Sequence, residues 1–396
     1  MAVAGLEGII AGQTAISTID GKRGVLTYRG LSIHDVADHS SYEETVFLLW
    51  FGRLPRKAEL EDFQNRLWSQ VALPAETADL IKQMPGEANP MSLLQAAVSA
   101  LALTERRVSE DIKSEVPASA TDLLVGQLKS DGPGFTMSNP LVQKAIRLTA
   151  QMAPLVAAIQ RVMKGLPLVE PVPGKGIAFN FLRCMTGSDP DQALEKMFDK
   201  CLILHADHEF NASTFTARVA AGTLTDPHSA VVAAIGALKG PLHGGANTAV
   251  AKMLLEIKDP AIAKAWVKDG LEKKKKIMGF GHRMYKTEDP RATHLRRMSE
   301  ELCKKTGKEY LYLLSREVEA AMLEYKNIYP NVDFYSASVY YCMGIDLELY
   351  TPIFALSRVS GWLAHILEQL ANNRLIRPEG EYVGPQNVVY RPIEDR

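Results

Sequence analysis

The sequence lacks the features that mark membrane, secreted and nucleic-acid-binding proteins. No apolar run in its 396 residues approaches the roughly 20 residues that a membrane-spanning helix needs. The four cysteines are scattered without a C-x-x-C pair, which favours reduced thiols in a cytoplasmic protein over disulfides or a zinc site. The formal net charge of -1 gives no global attraction to nucleic acid or to an anionic membrane, so we expect neither as a partner.

Targeting, phosphate-loop and repeat signals are also missing. The start, MAVAGLEGIIAG, carries no basic segment and no arginine, so we expect neither a secretory signal nor a transit peptide. The stretch at residues 174–176, GKG, lacks the Ser or Thr and the spacing of a P-loop, and no G-x-G-x-x-G follows a strand. P-loop and Rossmann enzymes are therefore disfavoured. We find no alternation of strands with helices and no short internal repeat, which disfavours a parallel sheet and a solenoid.

Helical periodicity is what the chain does contain. Residues 91–103, MSLLQAAVSALAL, are apolar on nearly all faces of a helix, which is typical of a helix inside a bundle. Residues 356–370 are strongly helical as well. Only residues 13–19 and 25–28 are β-prone, and an Asp-Gly pair joins them into a predicted N-terminal hairpin. The fold class is therefore mainly α with a small hairpin. The length predicts two domains, since single cores stop growing at about 250–300 residues.

One stretch, residues 279–292, has features that are typical of an anion-binding site. It reads GFGHRMYKTEDPRA. Asp289 and Pro290 form an N-cap and first-turn pair, so a helix should begin there with Arg291 in its first turn. The unpaired N–H groups and the positive end of that helix favour a carboxylate or phosphate, as does the arginine fork. His282 lies in the same loop.

Three further polar residues have unusual positions. Two of them, His243 and Asp333, lie where a loop meets a predicted helix, and the third, Arg358, lies on an apolar helix. His243, in GPLHGGAN, precedes a predicted helix whose positive end disfavours an imidazolium, so it should be neutral and able to donate to an oxyanion. Asp333 lies at a predicted helix start, which favours its carboxylate form and suits a general base. Arg358 lies on the apolar helix at 356–370, where it would be costly without an anionic partner.

Two other features have ordinary explanations. His205 and His208 form an H-x-x-H pair with both rings predicted on one helix face, but the order of the zinc peptidases is absent, so we expect no metal. The four lysines at residues 273–276 are typical of a solvated face; the alternative is a clamp for a polyphosphate.

Two histidines that can donate to oxygen, one carboxylate and several arginines suit one chemistry: forming an enol from a weak carbon acid and adding it to a polycarboxylate. The chain resembles the citrate synthase family in motifs that run in the family's order. They are GLEGIIAGQTAIS, LTYRG, HADHEFNASTFTARV, GPLHGGAN, GFGHRMYKTEDPRA, NVDFYSAS, LSRVSGWLAHILEQ and IRPEGEYVG.

The resemblance implies an architecture and an assembly. A large helical domain of residues 1–243 and 345–396 would carry the oxaloacetate site and the dimer contacts. A small helical domain of residues 244–344 would be inserted in it and would close over oxaloacetate. The family implies a homodimer, and the absence of the long N-terminal extension of the larger bacterial type disfavours an allosteric hexamer.

The resemblance also implies a role for each site residue. His243 would hydrogen-bond the thioester oxygen of acetyl-CoA while Asp333 removes a methyl proton, and His282 would polarise and protonate the keto group of oxaloacetate. Water then hydrolyses citryl-CoA, so CoA is part of a substrate and no cofactor is expected. The residues implied to hold the oxaloacetate carboxylates are His208, Arg291, Arg358 and Arg377, the last from the partner subunit. Those implied on the CoA side are Lys286 and, by their nearness in sequence, Lys275 and Lys276.

The sequence departs from the family pattern at two positions. Asn89 stands where many relatives have histidine, and Ala337 where glycine is common, which leaves local packing and substrate selectivity open. The first alternative is 2-methylcitrate synthase, which uses propionyl-CoA, because one methylene in an apolar pocket is worth only about 1–3 kcal/mol. An alternative of another class is a helical interaction protein that has lost turnover.

Overall fold

The computed structural model describes residues 4–6, 8–104, 116 and 135–396. Over these ranges the chain forms sixteen α-helices and three short strands, which confirms the predicted fold class. The helices are α1 Ile33–His39, α2 Tyr42–Phe51, α3 Lys57–Ser69, α4 Ala75–Lys82, α5 Pro90–Thr104, α6 Pro140–Met163, α7 Ile177–Thr186, α8 Gln192–His205, α9 Ala212–Gly222, α10 Pro227–Lys239, α11 Ala246–Ile257, α12 Pro260–Glu272, α13 Pro290–Lys305, α14 Glu309–Lys326, α15 Val332–Cys342 and α16 Tyr350–Ala371. None of them is long and apolar enough to cross a membrane.

The N-terminal hairpin is present and gains a third strand. Strand β1 (Ser17–Asp20) pairs antiparallel with β2 (Val25–Tyr28), and β3 (Leu31–Ser32) extends the sheet beyond β2. Pairing begins at Ser17 rather than at residue 13, because the chain before it finds other partners: the Ala15 N–H donates to Glu368 of α16 at 2.8 Å.

The turn of this hairpin supports the loop at residues 279–289. The Gly21 carbonyl accepts a hydrogen bond from the Lys286 N–H at 2.8 Å. A Cβ at Gly21 would lie 1.9 Å from the Met284 carbonyl oxygen, so no other residue fits this close approach. The turn of the sheet therefore packs against the loop that carries His282 and supports it.

The core is built around α16. All its residues except Thr351 are buried, and it packs against α2, α6, α8, α9 and α10. The apolar α5 lies in the same bundle, against α6 and α10, as its sequence predicts. Polar residues on α16 must therefore find partners inside the protein.

Helices α11 to α15 pack mainly on one another, α12 against α14 and α13 against α15. Two of them start at the same place. Asp289 caps α13 by accepting the Arg291 N–H at 3.1 Å, and its other oxygen accepts the Val332 N–H at the start of α15 at 3.2 Å. Asn331 caps α15 through the Asp333 N–H. The two helix starts thus converge on one carboxylate.

Candidate active site

The structure brings six predicted site residues into one region, although they come from five separate segments. His208 follows α8, His243 precedes α11, His282 precedes α13, Arg291 opens α13, Asp333 opens α15 and Arg358 lies inside α16. The rings of His208 and His282 are 5.0 Å apart between centroids. Burial lowers the pKa of His208 well below its ordinary value, and the nearby Arg291, His282, Arg358 and His243 lower it further.

His282 is neutral and has a defined donor. Burial lowers the pKa of its ring to about 4, with Arg291 as the next cause. Its Nδ1 accepts the Met284 N–H at 3.0 Å and the Tyr285 N–H at 3.4 Å. Because a backbone N–H can only donate, the ring proton resides on Nε2. The loop therefore leaves Nε2–H as the donor to a ligand.

His243 is also neutral, as its position before α11 predicts, but the main cause differs. Burial lowers its pKa to about 4, and Arg358 adds to the effect. Its Nε2 lies 3.4 Å from the Ser213 N–H and 2.9 Å from the Ser213 Oγ. The backbone amide again makes Nε2 the acceptor, so Nδ1 carries the proton. Ser213 escapes sequence reasoning because 30 residues separate it from His243.

The electrostatic prediction for Asp333 was wrong in direction. We expected the helix start to favour the carboxylate and so to lower its pKa. Burial instead raises the pKa of Asp333 to about 6, with Asp289 also raising it and Arg291 and Arg358 opposing. Desolvation outweighs the helix end and both cations here. The group stays mostly ionised at pH 7 and is a stronger base than an ordinary aspartate.

Arg291 opens α13 as predicted, but its fork is already occupied. Its Nε and Nη2 donate to the two oxygens of Asp289 at 2.9 and 2.7 Å, and both side chains are buried. Burial opposes both charges; even so, Arg291 lowers the pKa of Asp289, and Asp289 raises the pKa of Arg291. A bidentate pair of this kind fixes the guanidinium in one orientation.

Arg358 is a buried cation with an incomplete set of hydrogen bonds. It is 1% exposed, its Nε donates to the His205 carbonyl at 2.7 Å, and its guanidinium lies 4.7 Å from the centroid of the Phe354 ring. Its Nη2 is buried and has no hydrogen-bond partner among the described residues. Burial lowers its pKa to about 10, so it remains charged at neutral pH. An unpaired buried guanidinium nitrogen favours an anionic ligand.

The H-x-x-H pair does not form one helix face, so that prediction was wrong. Helix α8 ends at His205, and His208 lies in the following loop. The two rings then face different partners: His205 Nδ1 lies 2.8 Å from the Cys201 carbonyl, whereas His208 Nε2 lies 3.2 Å from the Tyr285 hydroxyl. Over the described residues, no group of three or more His, Cys, Asp or Glu side chains could hold a metal ion.

The remaining predicted residues lie at the surface. Arg377 is exposed in the segment after α16, and Lys275 and Lys276 are exposed after α12. Lys286 is exposed too, but it is near enough to His282 to contribute to the lowered pKa of that ring.

Known proteins share both the sequence and the fold. The family model described as citrate synthase, C-terminal domain, matches residues 5–379. Citrate synthase 2 of Bacillus subtilis is 48% identical over 100% of this chain and 99% of its own. The 2-methylcitrate synthase of Shewanella oneidensis is 39% identical over 99% and 98%.

A solved structure agrees over nearly the whole chain. It is the ternary complex of carboxymethyl coenzyme A and oxaloacetate with citrate synthase from the archaeon Thermoplasma acidophilum. It superimposes on this chain with a TM-score of 0.87. Citrate synthase from Thermotoga maritima superimposes with a TM-score of 0.84. The archaeal chain is 34% identical, covering 99% of this chain and 98% of that one. The sequence motifs, the helical fold and these matches together show that the chain belongs to the citrate synthase family.

Proposed function

We propose that this protein is an acyltransferase that converts the acyl group into an alkyl group on transfer: it condenses acetyl-CoA with oxaloacetate and hydrolyses citryl-CoA to citrate and CoA. One observation carries the proposal. Asp333, with a pKa raised to about 6, shares a half-buried cluster with two neutral histidines whose tautomers the backbone fixes. The names of the relatives and the ligands of the archaeal complex support the same reaction.

The first step forms the carbon nucleophile. Asp333 removes a proton from the methyl group of acetyl-CoA, while the Nδ1–H of His243 donates to the thioester oxygen as negative charge develops on it. A neutral imidazole suits this role, since it stabilises the oxyanion without lowering the basicity of Asp333 as a fixed cation would. The raised pKa of Asp333 brings its basicity closer to the operating pH.

The second step joins the two substrates. The enol carbon attacks the keto carbon of oxaloacetate, and the Nε2–H of His282 polarises the keto oxygen and then protonates it. Arg358 supplies its unpaired Nη2 to one carboxylate, and His208 donates to a carboxylate as well. Arg291 also binds an oxaloacetate carboxylate, in the orientation that its hydrogen bonds to Asp289 fix. Water then cleaves citryl-CoA, so CoA leaves as a product and no separate cofactor takes part.

Two domains would provide the closure that this chemistry needs. The proposed large domain comprises residues 1–243 and 345–396, and the small domain comprises 244–344. The mutual packing of α11 to α15 supports this division. Closure over oxaloacetate excludes water and strengthens the charge interactions in the cleft. Lys286 lies on the proposed CoA side, near His282, and Lys275 and Lys276 would assist from the loop after α12.

A homodimer completes the proposed site. Arg377 is exposed in the segment after α16, and we assign it to the site of the partner subunit. The segment around it exposes many large apolar side chains that a second copy would cover. They are Leu375, Tyr382, Val383, Val388, Val389, Tyr390 and Ile393. All four cysteines are buried and free, which favours a cytoplasmic location.

The second candidate is 2-methylcitrate synthase, which the Shewanella relative favours. The test compares kcat/KM for acetyl-CoA and propionyl-CoA with oxaloacetate, with the products identified by mass spectrometry. We expect citrate as the main product and a preference for acetyl-CoA. A clear preference for propionyl-CoA would transfer the proposal to 2-methylcitrate. A well-folded sample that releases no thiol with either substrate would instead support the inactive interaction protein.

A further inference from the structure

A single buried side chain, Tyr285, contacts both histidines of the proposed oxaloacetate site. It is 4% exposed. Its ring centroid lies 4.7 Å from that of His282 and 5.6 Å from that of His208. Its hydroxyl lies 3.2 Å from the Nε2 of His208. Among the described residues this hydroxyl is the only side-chain hydrogen-bond partner of the His208 ring.

The direction of this hydrogen bond follows from the two groups. A phenol is a stronger acid than the N–H of a neutral imidazole, and an imidazole nitrogen is the better acceptor. Burial raises the pKa of Tyr285, so its hydroxyl keeps its proton, and His208 is neutral. The hydroxyl therefore donates to Nε2. The proton of His208 then resides on Nδ1, where it can be donated to a substrate carboxylate.

From these contacts we propose that Tyr285 is a positioning residue for oxaloacetate binding, acting through His208. The inference rests on the proposed function, because it assigns a role within that site. Without the hydroxyl, the His208 ring can rotate and can place its proton on either nitrogen, so only part of the population has the binding geometry. Oxaloacetate binding should weaken, whereas the Met284 amide still fixes His282 and the chemical step should continue.

The test is a double-mutant cycle of Tyr285→Phe and His208→Gln. Tyr285→Phe retains the ring and removes one hydrogen bond. The loss of one hydrogen bond changes a binding constant by about three- to tenfold. We expect the KM for oxaloacetate to rise by about that factor, with kcat within about twofold of the wild type. In the His208→Gln background the same change should have no further effect. An unchanged KM in the single variant, or an equal rise in both backgrounds, would overturn the proposal.

A matched control separates positioning from stability. Tyr350 is another buried tyrosine whose hydroxyl donates one hydrogen bond, to the Ala337 carbonyl at 3.1 Å. Tyr350→Phe should lower the melting temperature about as much as Tyr285→Phe while leaving the KM for oxaloacetate unchanged. An equal rise in KM in both variants would mean that any lost tyrosine hydrogen bond perturbs the site, and the proposal would fail.

A measurement on the wild-type protein does not depend on the kinetics of the variants. In protein labelled with ¹⁵N-histidine, the His208 signal, assigned by its loss in His208→Gln, should show the Nδ1–H tautomer. The Nε2–H tautomer would overturn the proposal. Wild-type turnover is measured first: no thiol release would refute the proposed function, whereas normal turnover with an unchanged KM in Tyr285→Phe refutes the positioning role alone.

Discussion

Replacing the proposed base should make the protein more stable while it abolishes turnover. Asp333→Asn keeps the volume of the side chain and removes a charge that burial disfavours. The pKa of Asp333 rises from the ordinary 3.8 to about 6 in the folded protein. At about 1.4 kcal/mol per pKa unit, the ionised carboxylate costs the folded state about 3 kcal/mol.

The pH dependence of this cost has a definite sign. The folded-state pKa is raised, so the folded protein holds the Asp333 proton more tightly than the unfolded chain does. Above about pH 6 the carboxylate is ionised in both states and the full cost is present; below 3.8 it is protonated in both states and the cost vanishes. At pH 5 about half of it should remain.

Thermal melts at several pH values measure this effect. With about 2.1 cal/mol/K of unfolding entropy per residue, 396 residues give about 0.8 kcal/mol/K. A gain of about 3 kcal/mol then raises the melting temperature by about 3–4 °C at pH 8 and by about half as much at pH 5. Turnover should fall by about 10²–10⁴-fold.

The matched control is Asp35→Asn, an exposed aspartate in the first turn of α1. Its melting temperature should change little, and its turnover should match the wild type. The account of Asp333 is refuted if Asp333→Asn melts at or below the wild-type temperature at pH 8. Near-normal kcat in that variant would remove Asp333 as the base.

Three further predictions follow from the same cluster. The kcat/KM for acetyl-CoA should fall about tenfold per pH unit below about pH 6, as Asp333 becomes protonated; a profile flat down to pH 5 would contradict its pKa. Arg358→Leu should raise the KM for oxaloacetate about 10- to 150-fold in steady-state assays, and an unchanged KM would make that arginine structural. Asp289→Asn leaves Arg291 buried and unpaired, so urea denaturation should show about 3–5 kcal/mol less unfolding free energy; wild-type stability would show that the pair is not needed.

The features predictable from sequence are those decided by neighbours along the chain. The hairpin, the buried α5 and the start of α13 follow from turn residues, apolar periodicity and an N-cap pair. The family motifs then placed His243, His282 and Asp333 in one proposed site. Each of these signals lies within a few residues of the structure that it predicts.

The features that sequence reasoning missed depend on contacts between distant segments. The Ser213 N–H contact that sets the tautomer of His243 joins α9 to the loop before α11, and the Tyr285 contact joins the loop before α13 to His208. The raised pKa of Asp333 depends on burial by neighbouring helices, which outweighs the local helix end. His205 and His208 do not share a helix face, since α8 ends at His205.

The most direct test of the central claim follows thiol release from acetyl-CoA by the wild-type protein and by Asp333→Asn, each with and without oxaloacetate. We expect release by the wild type only when oxaloacetate is present, with one citrate formed per thiol, and almost none by the variant. Release without oxaloacetate, or equal release by folded Asp333→Asn, would contradict the claim.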